Sequence, residues 1–211
     1  MTSHTVRRVM RCGKRFLPTV CGVLVVIACF LPTTPASATT YTIDLDHTTV
    51  SFKIRHLFSY VQGWFTAVEG MFDYVPEDPS QWRAQATIHA ESIDTRVKQR
   101  DEHLRSKDFF DVEQFPTITF KSTEITEATP GSAKLHGLLT IHGVEKPVIL
   151  DLTIHGEGKD PWGNVRSGFT ATTMVHRSDF GLTWNKLVET GQALVGDEVE
   201  ITLDVEGIVK P

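Results

Sequence analysis

One stretch near the C-terminus, Val199-Glu200-Ile201-Thr202-Leu203-Asp204-Val205-Glu206, carries an apolar side chain at every second position. Successive side chains of a β-strand point to opposite faces, so this pattern predicts a strand with one buried face and one face in water. Four earlier segments repeat the alternation, and their apolar members are Val50, Phe52 and Ile54; Ile118 and Phe120; Leu135, Leu139 and Ile141; and Val148, Leu150, Leu152 and Ile154. The sequence is therefore typical of an all-β domain.

Turn-forming residues separate these segments. Residues 129–132, 142–147 and 160–164 lie between alternating runs, as hairpin connections do, and Gly196-Asp197 precedes the last run. Four more strand-like segments bring the total to about eight or nine, near residues 41–45, 62–74, 81–90 and 167–175. Many short strands with one-sided patterning indicate a β-sandwich or a β-barrel.

Two segments depart from the alternation. Residues 95–107 are rich in charge around Val97 and Leu104, whose spacing of seven places both on one helix face. We expect a short helical insertion there that caps one end of the domain, with Phe109 and Phe110 beneath it. The long segment 180–196 shows little alternation, and its apolar side chains are predicted to form an entrance loop: Leu182, Trp184, Leu187 and Leu194.

Residues 1–38 have the order of a secretory signal peptide. Five basic residues come first, an apolar stretch follows at residues 16–31, and the small-residue triplet Ala36-Ser37-Ala38 comes next. We expect cleavage after Ala38. Residues 39–211 then form one domain in the periplasm or outside the cell.

Cysteine chemistry is confined to this predicted signal. Cys12, Cys21 and Cys29 all precede Ala38, so the mature domain has no disulfide and no thiol nucleophile. Cys29 also offers an alternative to cleavage after Ala38, because the tetrad that ends there resembles the lipobox of bacterial lipoproteins. The bulky Phe30 directly after it disfavours that alternative.

The charge balance of the mature chain is acidic. The signal removes five basic residues, so Lys and Arg fall from 21 to 16 against 26 Asp and Glu. Binding to phosphate-rich partners depends on clustered Lys and Arg, so this balance disfavours nucleic acids and anionic lipid surfaces. We expect no nucleic-acid partner and no stable membrane insertion once the signal is removed.

A set of short motifs, spread in order over the mature chain, resembles the YceI-like family of polyisoprenoid-binding proteins. The matching motifs are Tyr41-Thr-Ile-Asp44, His47-Thr-Thr-Val-Ser-Phe-Lys-Ile-Arg-His-Leu57, Gly63-Trp-Phe65, Gly70-Met-Phe72, Ile93-Asp-Thr95, Arg100-Asp-Glu-His-Leu104, Asp108-Phe-Phe-Asp111, Phe115-Pro-Thr-Ile-Thr-Phe120, Gly137-Leu-Leu-Thr-Ile-His-Gly143, Lys146-Pro-Val148, Gly168-Phe169 and Arg177-Ser-Asp-Phe-Gly181. The resemblance implies a closed antiparallel, lipocalin-like barrel of about eight strands with a short helical insertion. It also implies an exported, non-catalytic carrier or storage protein for an isoprenoid lipid.

The predicted inward faces agree with a lipid ligand of the polyprenol or quinone type, because they are uniformly apolar. A barrel of this size is either filled by side chains or holds one small ligand. The residues predicted to line the lumen and contact the lipid are Phe52, Ile54, Phe65, Phe72, Ile88, Ile118, Phe120, Leu139, Ile141, Leu150, Leu152, Phe169, Trp184 and Ile201. We expect no cofactor other than the bound lipid, and a homodimer is left open.

Two other interpretations of the barrel remain at this point. In the first, the barrel encloses an active site for a small lipid-like substrate, although the mature chain has no recognisable catalytic motif. In the second, the barrel is filled by side chains and serves as a stress or interaction module. Its eight histidines lack metal-ligand spacing, so no metal is expected. Two roles are open for the pair Arg177 and Asp179, which either holds the entrance loop or contacts a ligand headgroup.

Overall fold

The computed structural model describes Thr2, residues 38–189 and residues 191–209. The predicted signal peptide, apart from Thr2 and Ala38, lies outside these residues, so its cleavage and the alternative at Cys29 stay predictions. The strands run as β1 (Thr39–Ile43), β2 (Thr49–His56), β3 (Ser59–Phe65), β4 (Val68–Tyr74), β5 (Arg83–His89), β6 (Ile93–Asp94), β7 (Thr117–Thr126), β8 (Ser132–Ile141), β9 (Val144–Lys159), β10 (Val165–His176) and β11 (Val195–Ile208). One α-helix, α1 (Lys98–Arg105), and 3₁₀ turns at Leu45–His47, Pro79–Gln81, Ala90–Ser92 and Arg177–Phe180 complete the described elements.

The eleven strand segments form eight long strands, three of which are interrupted. The 3₁₀ turn Leu45–His47 divides β1 from β2, two residues divide β3 from β4, and the 3₁₀ turn Ala90–Ser92 divides β5 from β6. The two halves of each interrupted strand pair with the two halves of its neighbour: β1 with β4, β2 with β3, β4 with β5 and β3 with β6.

The sheet closes on itself. Strand β11 pairs with β10 on one side and with both β1 and β2 on the other, where Thr42 faces Ile208 and Val50 faces Leu203. All pairings are antiparallel, and each long strand pairs with its neighbours in sequence. Closure leaves no unpaired sheet edge around the ring. The prediction of an all-β, closed antiparallel barrel of about eight strands with a short helical insertion is confirmed.

The up-and-down order sends all connections to two ends of the barrel. One end, which we call the helix end, carries the β2–β3 hairpin, α1, the β8–β9 turn and the segment before β11. The other, which we call the turn end, carries the β4–β5, β7–β8 and β9–β10 connections. The two ends differ in how the interior is filled.

The turn end is a packed core. The indole of Trp82 is buried among Leu135, Leu150 and Leu152, and its Nε1 donates to the carbonyl oxygen of Val75 at 2.6 Å. That bond removes the cost of burying the indole N–H without a partner. Tyr41, which has no exposed surface, stacks on Phe72 beside this core with ring centroids 5.1 Å apart.

Helix α1 is shorter than the predicted 95–107 and is held mainly by polar contacts. Arg96 has a φ of 62°, a left-handed conformation that a helix does not continue from. The buried carboxylate of Asp101 accepts hydrogen bonds from the backbone N–H and the hydroxyl of Thr95, at 2.9 and 2.5 Å. The Arg105 guanidinium donates to the carbonyl oxygens of Glu91 and Ile93, both at 2.6 Å, which fixes the helix over β6.

Candidate ligand-binding cavity

The helix end of the barrel encloses a cavity of about 810 Å³. This volume lies in the upper part of the ~300–1,000 Å³ range of ligand-binding pockets. Thirteen of the fourteen residues predicted to line the lumen do line it: Phe52, Ile54, Phe65, Phe72, Ile88, Ile118, Phe120, Leu139, Ile141, Leu150, Phe169, Trp184 and Ile201. Their contact with a lipid stays a prediction.

Leu152 is the one predicted lining residue outside this cavity. It lies two residues beyond Leu150 on the same face of β9, nearer the turn end, and belongs to the packed cluster around Trp82. The alternation of β9 predicted its inward direction but not its depth. Leu150 and Trp82 therefore mark the floor, where the hollow part of the barrel gives way to the packed part.

Several aromatic rings of the interior occupy the space directly over glycines in the barrel wall. A Cβ on Gly137 would overlap the ring of Phe120, and one on Gly207 would lie 2.5 Å from Cε1 of Phe72. A Cβ on Gly63 would likewise overlap the ring of Phe52. A ring that occupies the space above a glycine does not project across the lumen. An interpretation as a solidly filled barrel does not fit this arrangement.

An aromatic cluster closes the helix end over the cavity. The rings of His103, Phe109 and Trp184 lie with centroids 4.9–5.1 Å apart in each pair, and all three residues line the cavity. They come from α1, from the segment after it and from the entrance loop, so the cluster joins three parts of the chain. Aromatic pairs at this spacing add ~0.5–1.5 kcal/mol beyond their burial.

The predicted entrance loop is partly confirmed. Leu182, Trp184 and Leu194 line the cavity, whereas Leu187 does not and is 73% exposed. Leu187 lies in a short hairpin-like turn, where it forms an isolated β-bridge with Ala193. It faces water instead of the lumen.

Arg177 holds the entrance loop from beneath. It is 7% exposed, and its guanidinium donates to the carbonyl oxygens of Gly196 at 2.8 Å, of Trp184 at 2.9 Å and of Leu182. Burial lowers the pKa of this guanidinium, and the nearby Asp197 carboxylate opposes that shift. Of the two roles expected for Arg177, fastening the loop is the one that these contacts support. Asp179 is not among its partners.

The polar part of the cavity wall is concentrated at the helix end. Arg100 lines the cavity while Nε donates to the Thr95 hydroxyl at 2.7 Å and Nη2 to the Thr95 carbonyl oxygen at 2.8 Å. His103 also lines it, and its Nε2 lies 2.9 Å from a carboxylate oxygen of Asp108. Such a wall suits a ligand with an apolar tail and a polar head near the helix end. The predicted set of lumen residues did not include Arg100 and His103, because their charged segment indicates a solvated helix face. The family motif at residues 100–104 is the feature of the sequence that could have identified them.

Exposed apolar residues belong to the cavity wall at two places. Val97, at the start of the helical insertion, lines the cavity and is 46% exposed. Met71, on the barrel wall beside the interruption between β1 and β2, also lines it and is 43% exposed. We call the first place the mouth and the second the side opening.

One group of three metal-ligand side chains occurs among the described residues, and it lies outside the cavity. Asp44, His47 and Glu206 have ligand atoms within 4.8 Å of one another. Arg166 already fills the space between them, since its Nη1 lies 2.6 Å from Asp44 and 2.5 Å from Glu206. That guanidinium holds the pKa of Asp44 below its usual range. The cluster is an ion-pair network that fastens the ends of the strands around β1.

The helices in the described part of the chain are all too short and too polar to cross a bilayer.

Comparison with known proteins agrees with this architecture. Residues 41–207 match the YceI-like domain family. A UPF0312 protein of Pseudomonas aeruginosa is 40% identical over 176 residues, which cover 82% of this chain and 88% of the relative. The crystal structure of Burkholderia cenocepacia BcnA has a TM-score of 0.69 at 26% identity and covers 78% of this chain and 98% of that one.

A more distant structure shares the fold. It is a polyisoprenoid-binding domain from Saccharophagus degradans, implicated in plant cell wall breakdown, with a TM-score of 0.61 at 13% identity. It covers 82% of this chain and 99% of that one. The family match spans nearly the whole barrel and the relatives align over most of their own length, so this chain is a member of the YceI-like domain family.

Proposed function

We infer that this protein is an exported carrier, which shields one isoprenoid-type lipid from water inside the barrel. The observation that carries this inference is the cavity of about 810 Å³, with its wall mainly of Phe, Ile, Leu and Val side chains and its Arg and His side chains at the helix end. Membership of the YceI-like family and the polyisoprenoid-binding neighbour support it. Export is supported by the signal-like order of residues 1–38.

The size of the cavity limits the length of chain that it can enclose. If each methylene-sized group takes roughly the ~30 Å³ that a molecule of liquid water occupies, the cavity holds on the order of 25–30 such groups. That is about five isoprene units. Each buried methylene contributes ~0.8 kcal/mol, so apolar burial alone provides ample affinity. A longer prenyl chain would have to fold back or extend through an opening.

The functional role requires no chemistry on the lipid. Binding places the tail against the floor at Leu150, and places the head near Arg100 and His103. The aromatic cluster around Trp184 separates the cavity from water. Such a protein stores or transfers an insoluble lipid and releases it chemically unchanged.

Native mass spectrometry of the processed protein, purified from its own envelope, tests this proposal. We expect one bound lipid per chain, released and identified by organic extraction. Ala86 lines the cavity whereas its neighbour Thr87 does not, so Ala86→Phe should reduce the lipid-bound fraction and Thr87→Phe should not. A protein that is empty as isolated and takes up neither ubiquinone nor polyprenol when these are added is not an isoprenoid carrier. Turnover of the bound lipid during incubation would instead indicate an enzyme.

A further inference from the structure

Three apolar side chains project into water at the helix end. Phe58, at the tip of the β2–β3 hairpin, is 93% exposed, Leu187 is 73% exposed, and Val97 stands at the mouth itself. We call these three residues the apolar rim. Removing apolar side chains of this size from water is favourable, so a rim left in water forgoes that stabilisation.

The hairpin and the entrance loop that carry two of these residues lie side by side. The backbone N–H of Leu57 donates to the carbonyl oxygen of Leu194 at 3.0 Å, and the N–H of Leu194 donates to that of Lys186 at 2.8 Å. Phe58 and Leu187 directly follow Leu57 and Lys186 in the sequence. Phe58 and Leu187 therefore lie on adjoining parts of the helix end, and Val97 lines the same cavity as Leu194, which lies between them in the hydrogen-bonded chain.

Basic residues flank the rim although the domain is acidic. Arg96 and Lys98 stand on either side of Val97, and Lys186 precedes Leu187. Segments 55–60, 94–108 and 184–189 together hold seven of the 16 basic residues that follow Ala38 but only five of the 26 acidic ones. The three segments that carry the rim are thus net positive, whereas the rest of the domain is strongly negative. The whole-chain count, which disfavoured anionic lipid surfaces, averages over this difference.

The side opening has the opposite character. Met71 is flanked by Glu69 and Asp73, and the exposed Leu45 by Asp44 and Asp46. Carboxylates beside an apolar side chain repel an anionic surface. Of the two places where exposed apolar residues belong to the cavity wall, only the mouth combines them with flanking cations.

We propose that the helix end docks on an anionic phospholipid bilayer, with the apolar rim inserted at the interface and the mouth facing the lipid. Apolar tips flanked by Lys and Arg are the combination that binds proteins peripherally to such surfaces. Three tips on separate loops form too small a patch for a stable protein interface, which buries ~800 Å² on each partner. Docking rests on the proposed carrier function, because an insoluble lipid passes between cavity and bilayer without crossing water only if the mouth meets the membrane.

Vesicle flotation of the processed protein tests the docking. The probe is a set of vesicles of phosphatidylcholine alone or with phosphatidylglycerol, and we expect binding to the mixed vesicles that weakens as salt is raised. The double variant Phe58→Ser/Leu187→Ser should lower the partition coefficient at least ~tenfold, since it removes two inserted side chains. Lys98→Gln/Lys186→Gln should weaken binding to the mixed vesicles only.

Trp162→Ser is the matched control. Trp162 is 82% exposed, but it lies in the β9–β10 connection at the turn end. Its replacement removes a large exposed aromatic side chain from the opposite end of the barrel and should leave vesicle binding unchanged. Equal losses in Trp162→Ser and in the rim variant, or no loss in the rim variant, would overturn the proposal. So would a change in self-association without a change in vesicle binding, which would make the rim an interface between copies of the chain. Thermal unfolding followed by circular dichroism verifies that each variant is folded.

The lipid content of the same preparations separates this proposal from the carrier function. A bound isoprenoid together with vesicle binding that does not depend on the rim would support the carrier function and refute the docking proposal. Rim-dependent vesicle binding by a protein that never holds an isoprenoid would support the docking and refute the carrier function. The barrel would then dock on membranes but bind another ligand.

Discussion

Gly63 and Phe52 face each other across β3 and β2, and the ring of Phe52 occupies the space that a side chain on Gly63 would need. A Cβ on Gly63 would lie 2.7 Å from Cε1 of Phe52 and 2.9 Å from Cγ2 of Thr95. The glycine therefore lets an aromatic side chain lie along the wall, so that a strand rich in large residues still leaves a hollow centre.

Gly63→Ala should accordingly reduce lipid binding by pushing the Phe52 ring into the lumen. The crowding should also lower the free energy of unfolding by about 1–3 kcal/mol, the usual cost of overpacking. Urea unfolding and uptake of a fluorescent prenyl probe measure the two effects. Gly158→Ala is the control, because a Cβ there has no neighbour within 4 Å. Unchanged probe uptake in Gly63→Ala would show that the glycine does not maintain the cavity.

The direction of most wall residues was predictable from the sequence, because strand periodicity is local. Val148, Leu150 and Leu152 all point inward as their alternation indicates, yet only the first two line the cavity. The difference arises from Trp82, which reaches the interior from the β4–β5 connection far away in sequence. Depth along a barrel depends on such distant packing, which alternation does not encode.

The helix end was harder to predict for a related reason. The charged run 95–107 indicated a solvated helix, and α1 does have a solvated face. Arg100 and His103 nevertheless line the cavity, because Arg105 and Asp101 fix the orientation of the helix through contacts with Ile93 and Thr95. These contacts are single hydrogen bonds between polar groups, and they produce no periodic pattern of side chains from which the helix orientation could be predicted.

Trp184→Ala should accelerate release of the bound lipid. The indole packs against both His103 and Phe109 across the helix end, so its loss removes two aromatic contacts that close the cavity. Two pairs at ~0.5–1.5 kcal/mol each correspond to roughly a tenfold faster dissociation. Stopped-flow transfer of a fluorescent prenyl probe to acceptor vesicles measures the rate. Trp162→Ala, an exposed tryptophan at the turn end, should release the probe at the wild-type rate.

Arg177→Met should loosen the entrance loop and destabilise the fold. The substitution leaves the carbonyl oxygens of Leu182, Trp184 and Gly196 without their guanidinium partner in a buried setting, at a cost of about 2–5 kcal/mol. Urea unfolding measures the loss, and hydrogen exchange should rise in the segment before β11. Arg83→Met is the control: Arg83 also donates to two carbonyl oxygens, but at an exposed site where water replaces it. Comparable destabilisation by the two variants would contradict a special role for Arg177.

Stability at acid pH should depend on Arg166. Its guanidinium, followed by His47, holds the pKa of Asp44 below the ordinary value of 3.8. A carboxyl group whose pKa is lower in the folded state stabilises the fold above its unfolded pKa, and this contribution is lost as the pH falls through the folded value. The wild type should therefore lose stability below about pH 4.

Arg166→Gln should be less stable than the wild type at pH 7, because it also removes the bonds to Asp160 and Glu206. Its decline below pH 4 should be shallower, since Asp44 then titrates nearer its ordinary pKa. Urea midpoints between pH 2.5 and 7 compare the two profiles, with Lys134→Gln as a control that breaks only the exposed pair with Asp151. Parallel profiles for wild type and Arg166→Gln would mean that other carboxylates govern the acid sensitivity of the barrel.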